Sequence, residues 1–225
     1  INDVAAIPGV LKLTNSAGDL TLNLKAAAVA GTSDVVAIEL AGALAASTIT
    51  ITDDSATAAI EGVTIHSGAA ANTLADLVGA RGSITVTGDQ SLTLTSATEA
   101  TVTTIDASGM NGALGLTMSA SHGSALGAHI MGSPGVDSLT DGNAATSVDT
   151  ISAGAGNDTI TMTQYLPTDV IDGGDGVDTV SLTNTAIVSS TLGGLSNVEV
   201  VYLPTDNTTL TLGSNTGPAT FSFGT

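Results

Sequence analysis

The chain contains no cysteine among its 225 residues, which excludes disulfide bonds and thiolate metal sites. It also contains no tryptophan, and aromatic residues make up only 2% of the sequence. An ordinary globular core, by contrast, takes much of its buried area from large aromatic side chains. The abundant Ala, Val, Ile, Leu, Thr, Ser and Gly suit thin cores that repeat many times, as in a solenoid. Without disulfides, such a chain needs another means of stabilisation.

Positive charge is almost absent. The only basic residues are Lys12, Lys25 and Arg81, against 21 acidic residues, so the formal net charge is −18 with His neutral. Nucleic acid and anionic membrane surfaces both recruit proteins through Lys and Arg, which excludes them as expected partners. A metal cation is the partner that the charge favours.

Long apolar runs are missing too. The sequence contains no stretch of about 18 uninterrupted apolar residues, the length that a membrane-spanning helix needs, so we expect no transmembrane segment. The chain begins with Ile1 and opens on no signal peptide. We therefore interpret it as a fragment or a processed product.

Short segments that alternate aliphatic residues with Thr, Ser or Asn recur along the chain. In residues 1–130 they include LKLTN (11–15), TITIT (48–52) and SLTLTS (91–96), and the pattern resumes in residues 183–225. A period of two is typical of a half-buried strand. Because the segments are spaced roughly 10–20 residues apart, they favour stacked β rungs over a sandwich. The predicted fold is all-β, a largely parallel β-solenoid or β-helix.

Two segments depart from this pattern. Residues 71–81, ANTLADLVGAR, predict a brief helix that Asn72 or Thr73 could cap. Residues 34–47 are compatible with either a strand or a helix. The pair Asp53-Asp54 follows a predicted strand, and we interpret it as a solvated turn.

The region 131–182 is different, because eight of the 21 acidic residues lie between Asp137 and Asp178. It contains five Asp-x-aliphatic units whose aspartates are separated by 12, 9, 11 and 9 residues. Nine is therefore the base period. These units begin at Asp137, Asp149, Asp158, Asp169 and Asp178.

Glycines precede three of these aspartates, in GSPGVD (132–137), AGAGND (153–158) and GGDGVD (173–178). The combined pattern is the nonapeptide G-G-x-G-x-D-x-U-x, which binds calcium in parallel β-helices. Glycine lets the backbone turn and aim its carbonyl oxygens inward. Asp adds an anionic oxygen, and Ca²⁺ takes six to eight oxygen ligands. The sequence therefore predicts a calcium-binding β-roll at 131–182, between a Thr/Ala-rich solenoid region at 1–130 and continuing strands at 183–225.

Two nonapeptides make one turn, so successive units should fall on alternate edges. Asp137, Asp158 and Asp178 are predicted on one edge, with Asp158 as the middle turn and the most sensitive carboxylate. Asp149 and Asp169 are predicted on the other, where the missing glycines leave open whether metal binds. The best calcium site is predicted between 153–158 and 173–178. The full set of predicted metal-binding residues is Gly132, Gly135, Asp137, Asp149, Gly154, Gly156, Asn157, Asp158, Asp169, Asp172, Gly173, Gly174, Asp175, Gly176 and Asp178.

The alternative interpretation is a set of Gly/Asp turns that bind no metal. Other chemistry has weaker support in the sequence. His66, His122 and His129 lack zinc-site spacing, so we expect surface or turn histidines. No G-x-S-x-G elbow, Walker A loop, dinucleotide loop or EF-hand loop is present. We therefore predict a protein that is not an enzyme.

The segments SITVTGDQSLTLTS, GSPGVDSLT and SAGAGNDTITM resemble RTX-type surface-layer (S-layer) proteins of Gram-negative bacteria, over residues 83–182. The resemblance implies a structural, self-assembling subunit of a bacterial cell-surface lattice, exported by type I secretion. It implies that calcium orders the monomer and joins copies of the chain. An anchor to cell-surface polysaccharide and the secretion signal would lie outside this chain. Two alternatives remain: a calcium-stiffened segment of a secreted RTX adhesin, or the β-roll of a secreted lipase or protease.

Overall fold

A computed structural model describes residues 5–14, 18–42, 47–53, 60–79, 82–95, 101–118, 127–141, 147–183, 192–203 and 220–223 of the chain. Within them the structure is built almost entirely from short strands, with a single 3-10 turn at Ala26–Ala28. The strands are β1 (Leu11–Leu13), β2 (Leu20–Leu24), β3 (Val35–Ala41), β4 (Ser47–Asp53), β5 (Gly62–Gly68), β6 (Asn72–Val78), β7 (Gly82–Gly88), β8 (Leu92–Leu94), β9 (Val102–Met110), β10 (Leu116–Met118), β11 (His129–Met131), β12 (Ser138–Asp141), β13 (Thr150–Ser152), β14 (Thr159–Met162), β15 (Val170–Asp172), β16 (Thr179–Leu182), β17 (Leu195–Ser196), β18 (Val200–Leu203) and β19 (Thr220–Phe223).

The strands form two parallel sheets. The odd-numbered strands from β1 to β17 form a nine-stranded sheet in sequence order. The even-numbered strands from β2 to β18, followed by β19, form a ten-stranded sheet. The chain thus alternates between the two sheets and climbs one rung per turn. This confirms the predicted all-β parallel solenoid.

The core is a stack of aliphatic side chains between the sheets. In the nine-stranded sheet, Ile105, Ile130 and Ile151 follow one another in register, and Ile171 and Leu195 continue the column. All five side chains are buried. Each such side chain contributes about 1.5–3 kcal/mol when fully buried. Repeating one aliphatic position per rung therefore builds a core without large aromatic residues.

The prediction of a helix at 71–81 is wrong, because residues 72–78 form strand β6. Leu74 lies in register with Leu94 of β8 and is buried in the core. Asn72 is also buried, and its Nδ2 donates to Ser67 Oγ (2.9 Å) and to the Ala70 carbonyl oxygen (2.7 Å). Pairing with neighbouring strands overrides the local helix propensity here.

The ambiguous segment 34–47 contains strand β3 and the first residue of β4, while residues 43–46 lie outside the described part of the chain. Of the pair Asp53-Asp54, the first ends β4 and the second is outside the described residues. Both sheets continue across residues 131 and 183. No helix in the described ranges is long and apolar enough to cross a membrane.

Candidate metal centre

The five predicted aspartates each lie directly before a strand, and the two sheets sort them onto two edges. Asp137, Asp158 and Asp178 precede β12, β14 and β16 of the ten-stranded sheet. Asp149 and Asp169 precede β13 and β15 of the nine-stranded sheet. All five side chains are buried, each at most 1% exposed. The structure therefore stacks the aspartates on alternate edges, as the spacing predicts.

On the first edge the carboxylates form a ladder with the backbone. The N–H of Asp137 donates to Asp158 Oδ1 (2.8 Å), and the N–H of Asp158 donates to Asp178 Oδ1 (2.8 Å). The N–H of Asp178 donates in turn to Glu199 Oε2 (2.7 Å). One oxygen of each carboxylate thus holds the preceding rung in place.

Glu199 is a member of this ladder that the sequence analysis missed. It was not recognised because no glycine frame precedes it. Its distance from Asp178 is 21 residues, the same as the step from Asp137 to Asp158, and this spacing could have revealed it. This edge consequently carries four carboxylates in register rather than the three that the sequence predicts.

The second carboxylate oxygens of two ladder residues find no partner in the described part of the chain. Asp158 Oδ2 and Asp178 Oδ2 are buried and have no hydrogen-bond partner among the described residues. Leaving a charged acceptor buried and unsatisfied costs more than the roughly 1–3 kcal/mol of a neutral group. Buried polar atoms without partners are rare, and an ion or a water molecule is a common explanation.

Asp137 differs from these two residues because the protein satisfies both of its oxygens. Ser133 donates its backbone N–H to Oδ2 (2.6 Å) and its hydroxyl to Oδ1 (2.7 Å). The N–H of Leu116 also donates to Oδ1 (2.5 Å). Ser133 occupies the position that Gly154 and Gly174 take in the other two frames. A metal ion at this turn would have to displace these donors.

The second edge is also closed by protein groups. Asp169 Oδ1 accepts the N–H of Asp149 (3.0 Å), and Oδ2 accepts the N–H of Leu166 (2.7 Å). Asp149 Oδ1 accepts the N–H of Ala128 (2.7 Å). The buried side chain of Tyr165 fills this turn, and burial and the charge of Asp169 raise its pKa to about 12. This edge lacks the glycine frame, and its turn is instead filled by a side chain and by hydrogen bonds within the protein.

Glycines bring the turns of the first edge into close contact. Gly156 and Gly176 have φ angles of 138° and 144°, a region that L side chains rarely adopt. A Cβ atom on Gly176 would overlap the carbonyl oxygen of Gly156, and a Cβ on Gly156 would overlap that of Gly135. The carbonyl oxygens of Gly135 and Gly156 therefore lie directly against the glycines of the following turn.

The remaining predicted residues surround this stack. Gly132 and Gly173 enter the turns, where their N–H groups donate to the carbonyls of Ser152 and Ser196. Asp175 pairs its backbone with the preceding turn of the same edge, where its N–H donates to the carbonyl of Gly154 (2.9 Å). Two side-chain oxygens that could have served as further metal ligands already accept hydrogen bonds. Asn157 Oδ1 accepts the N–H of Val177 (2.9 Å), and Asp172 Oδ1 accepts from Asn197 Nδ2 (2.7 Å).

Burial raises the pKa of Asp137, Asp158 and Asp178. For Asp158 the pKa rises to about 6, because burial disfavours the charged form and Asp137 and Asp178 repel it. Burial also raises the pKa of Asp178, with repulsion from Glu199, Asp172 and Asp175. No Lys or Arg follows Arg81 in the sequence, so no basic side chain of this region can neutralise the ladder.

Side chains alone do not complete a metal site here. No group of three or more His, Cys, Asp or Glu side chains converges in the ranges that the structure describes. His66 and His129 are exposed, and His122 lies outside those ranges. A cation at this edge would need backbone carbonyl oxygens beside Asp158 Oδ2 and Asp178 Oδ2, which the adjacent glycine turns would have to supply.

No family model matches the chain, and no similar curated protein or solved structure was found.

Proposed function

We propose that this chain is a calcium-binding structural subunit of a bacterial surface layer, in which Ca²⁺ orders the solenoid and promotes lattice assembly. The observation that carries the proposal is the pair of buried oxygens, Asp158 Oδ2 and Asp178 Oδ2, that have no partner in the described structure. They lie on consecutive rungs of one edge, where no basic side chain is available.

The donor set fits a hard cation. Carboxylate and carbonyl oxygens are the ligands that Ca²⁺ prefers, and the turns offer no sulfur. The proposed ion lies between 153–158 and 173–178, with the two free carboxylate oxygens and carbonyl oxygens of the glycine turns as ligands. Asp137, Asp149 and Asp169 would contribute less, because backbone or hydroxyl donors already bind their oxygens.

The surface-layer role extends this site to assembly. Copies of a chain with a net charge of −18 repel one another, and bridging divalent ions would remove that cost. The proposal includes an extracellular location, type I secretion and anchoring to polysaccharide, which the RTX resemblance implies. The adhesin segment is the second candidate, because a long solenoid stiffened by calcium would serve it equally well. The β-roll of a secreted hydrolase ranks third.

Calcium titration followed by circular dichroism and calorimetry tests the metal site. We expect a gain of β signal and saturable binding with Ca²⁺, and neither with NaCl at matched ionic strength. An unchanged spectrum after addition of EGTA would contradict the calcium proposal.

Electron microscopy of the calcium-loaded protein separates the candidate roles. Two-dimensional sheets would support a surface layer, whereas isolated rods would support an adhesin. Hydrolysis of a generic ester or of casein would support the enzyme. Assembly in NaCl equal to that in calcium would refute bridging by divalent ions.

A further inference from the structure

The outward face of the ten-stranded sheet carries an uninterrupted array of hydroxyl groups. Strands β8, β10, β12, β14 and β16 are consecutive neighbours in that sheet. Their side chains alternate between the core and the outside, and every outward one is Thr or Ser. These residues are Thr93, Thr117, Ser138, Thr140, Thr159, Thr161, Thr179 and Ser181.

The array is regular in both directions. Thr93, Thr117, Ser138, Thr159 and Thr179 lie in register on five successive rungs, with no bulge between them. A second column, Thr140, Thr161 and Ser181, runs beside the first on the last three of these rungs. The next rung ends the second column with Tyr202.

No outward side chain of these five strands is charged, although the chain carries 21 acidic residues. The carboxylates of this region instead lie in the turns before the strands or, like Asp141, point inward. These strands therefore lack the charged groups that bind the surrounding water molecules strongly. Its Thr side chains are also stiff at χ1, so ordering them against a surface costs little entropy.

The spacing of the array matches a lattice of water. Neighbouring strands are about 4.8 Å apart, and residues two apart on a strand are about 6.7 Å apart. A tetrahedral network of O–H···O bonds of about 2.75 Å places second-neighbour oxygens about 4.5 Å apart and repeats along its hexagonal axis about every 7.3 Å. The two spacings of the array thus agree with those of ice to within about a tenth.

We propose that this face binds ice. Thr and Ser hydroxyl groups take positions of lattice oxygens at the crystal surface, and Thr methyl groups lie between them. A second copy of the chain fits the face less well, because only Tyr202, at its border, is among the described large hydrophobic side chains that are exposed. A carbohydrate fits less well too, because sugar rings pack on aromatic faces and the array contains none.

Ice shaping and thermal hysteresis, measured on the calcium-loaded chain in a nanolitre osmometer, test this proposal. The wild-type protein should shape growing crystals and separate the melting and freezing temperatures. Thr140→Tyr places a bulky ring in the array and should remove most of the hysteresis. The control is Thr85→Tyr, an outward position on the nine-stranded sheet, which should keep it. Thr161→Val keeps the shape and β-branching but removes one hydroxyl, and should lower the hysteresis partially.

Circular dichroism in calcium verifies that each variant is folded. If Thr140→Tyr does not fold, the comparison of Thr161→Val with the wild type decides. The proposal is overturned if the wild-type protein neither shapes ice nor shows hysteresis, or if Thr85→Tyr loses as much activity as Thr140→Tyr. It is equally overturned if sedimentation shows that this face joins two copies and Thr140→Tyr separates them without any effect on ice.

Discussion

Replacing Asp158 with Asn should stabilise the calcium-free protein, and calcium should remove this advantage. The change keeps the size of the side chain and an oxygen that can accept the N–H of Asp137. It removes the buried charge and turns the other oxygen, which has no partner among the described residues, into an amide nitrogen. An amide nitrogen cannot coordinate Ca²⁺, so the variant should gain little from the ion.

The magnitudes follow from the environment of the carboxylate. Burial, with repulsion from Asp137 and Asp178, raises the pKa of Asp158 from 3.8 to about 6. At neutral pH this shift corresponds to a cost of about 3 kcal/mol, which the Asn variant avoids. Calcium at 100 times its dissociation constant stabilises the wild-type protein by about 2.7 kcal/mol. The two effects nearly cancel, so the variants should differ in EGTA and converge in calcium.

Denaturant unfolding at pH 7, followed by circular dichroism in EGTA and in calcium, measures both quantities. Asp169→Asn is the matched control, because N–H groups already bind both oxygens of Asp169. This control should keep the wild-type response to calcium, whatever its effect on the calcium-free protein.

Two results would refute the reasoning. If calcium stabilises Asp158→Asn as much as the wild type, the carboxylate is not a ligand. If Asp158→Asn lowers the stability in EGTA, the carboxylate contributes more as a hydrogen-bond acceptor than its charge costs.

Three further predictions concern the same edge. Because its pKa is raised, Asp158 contributes stability to the calcium-free protein that is fully present below pH 3.8 and is lost as the pH rises through about 6. Unfolding midpoints in EGTA should therefore rise on acidification from pH 7 to 4. Calcium affinity, measured by calorimetry, should fall over the same range. Glu199→Ala leaves a backbone N–H of the ladder without its acceptor and should cost about 1–3 kcal/mol in denaturant unfolding. The control Glu39→Ala breaks only an exposed ion pair and should cost less than about 1 kcal/mol; equal losses would contradict the ladder. Gly176→Ala should abolish calcium binding in calorimetry because its Cβ meets backbone, whereas Gly112→Ala, which also has a positive φ but nothing within 4 Å, should retain it. Retained binding in both would show that close stacking of the turns is not required.

The sequence by itself determined the solenoid and the placement of its aspartates. Alternation of aliphatic with Thr or Ser residues fixes which side chains face the core, because the period of a strand is two. Units of nine residues, two to a turn, then place Asp137 and Asp158 on one edge and Asp149 on the other. This information is local, since each unit carries its own turn and its own strand.

Only the tertiary structure decided which carboxylates remain unsatisfied. Ser133 and Leu166 donate their N–H groups to Asp137 and Asp169, whereas one oxygen of Asp158 and one of Asp178 have no donor within the described ranges. Glu199 joins the ladder and residues 72–78 become a strand for the same reason: their partners lie on neighbouring rungs, 20 or more residues away. Hydrogen bonds between rungs depend on the register of the stacked turns, which no single repeat encodes.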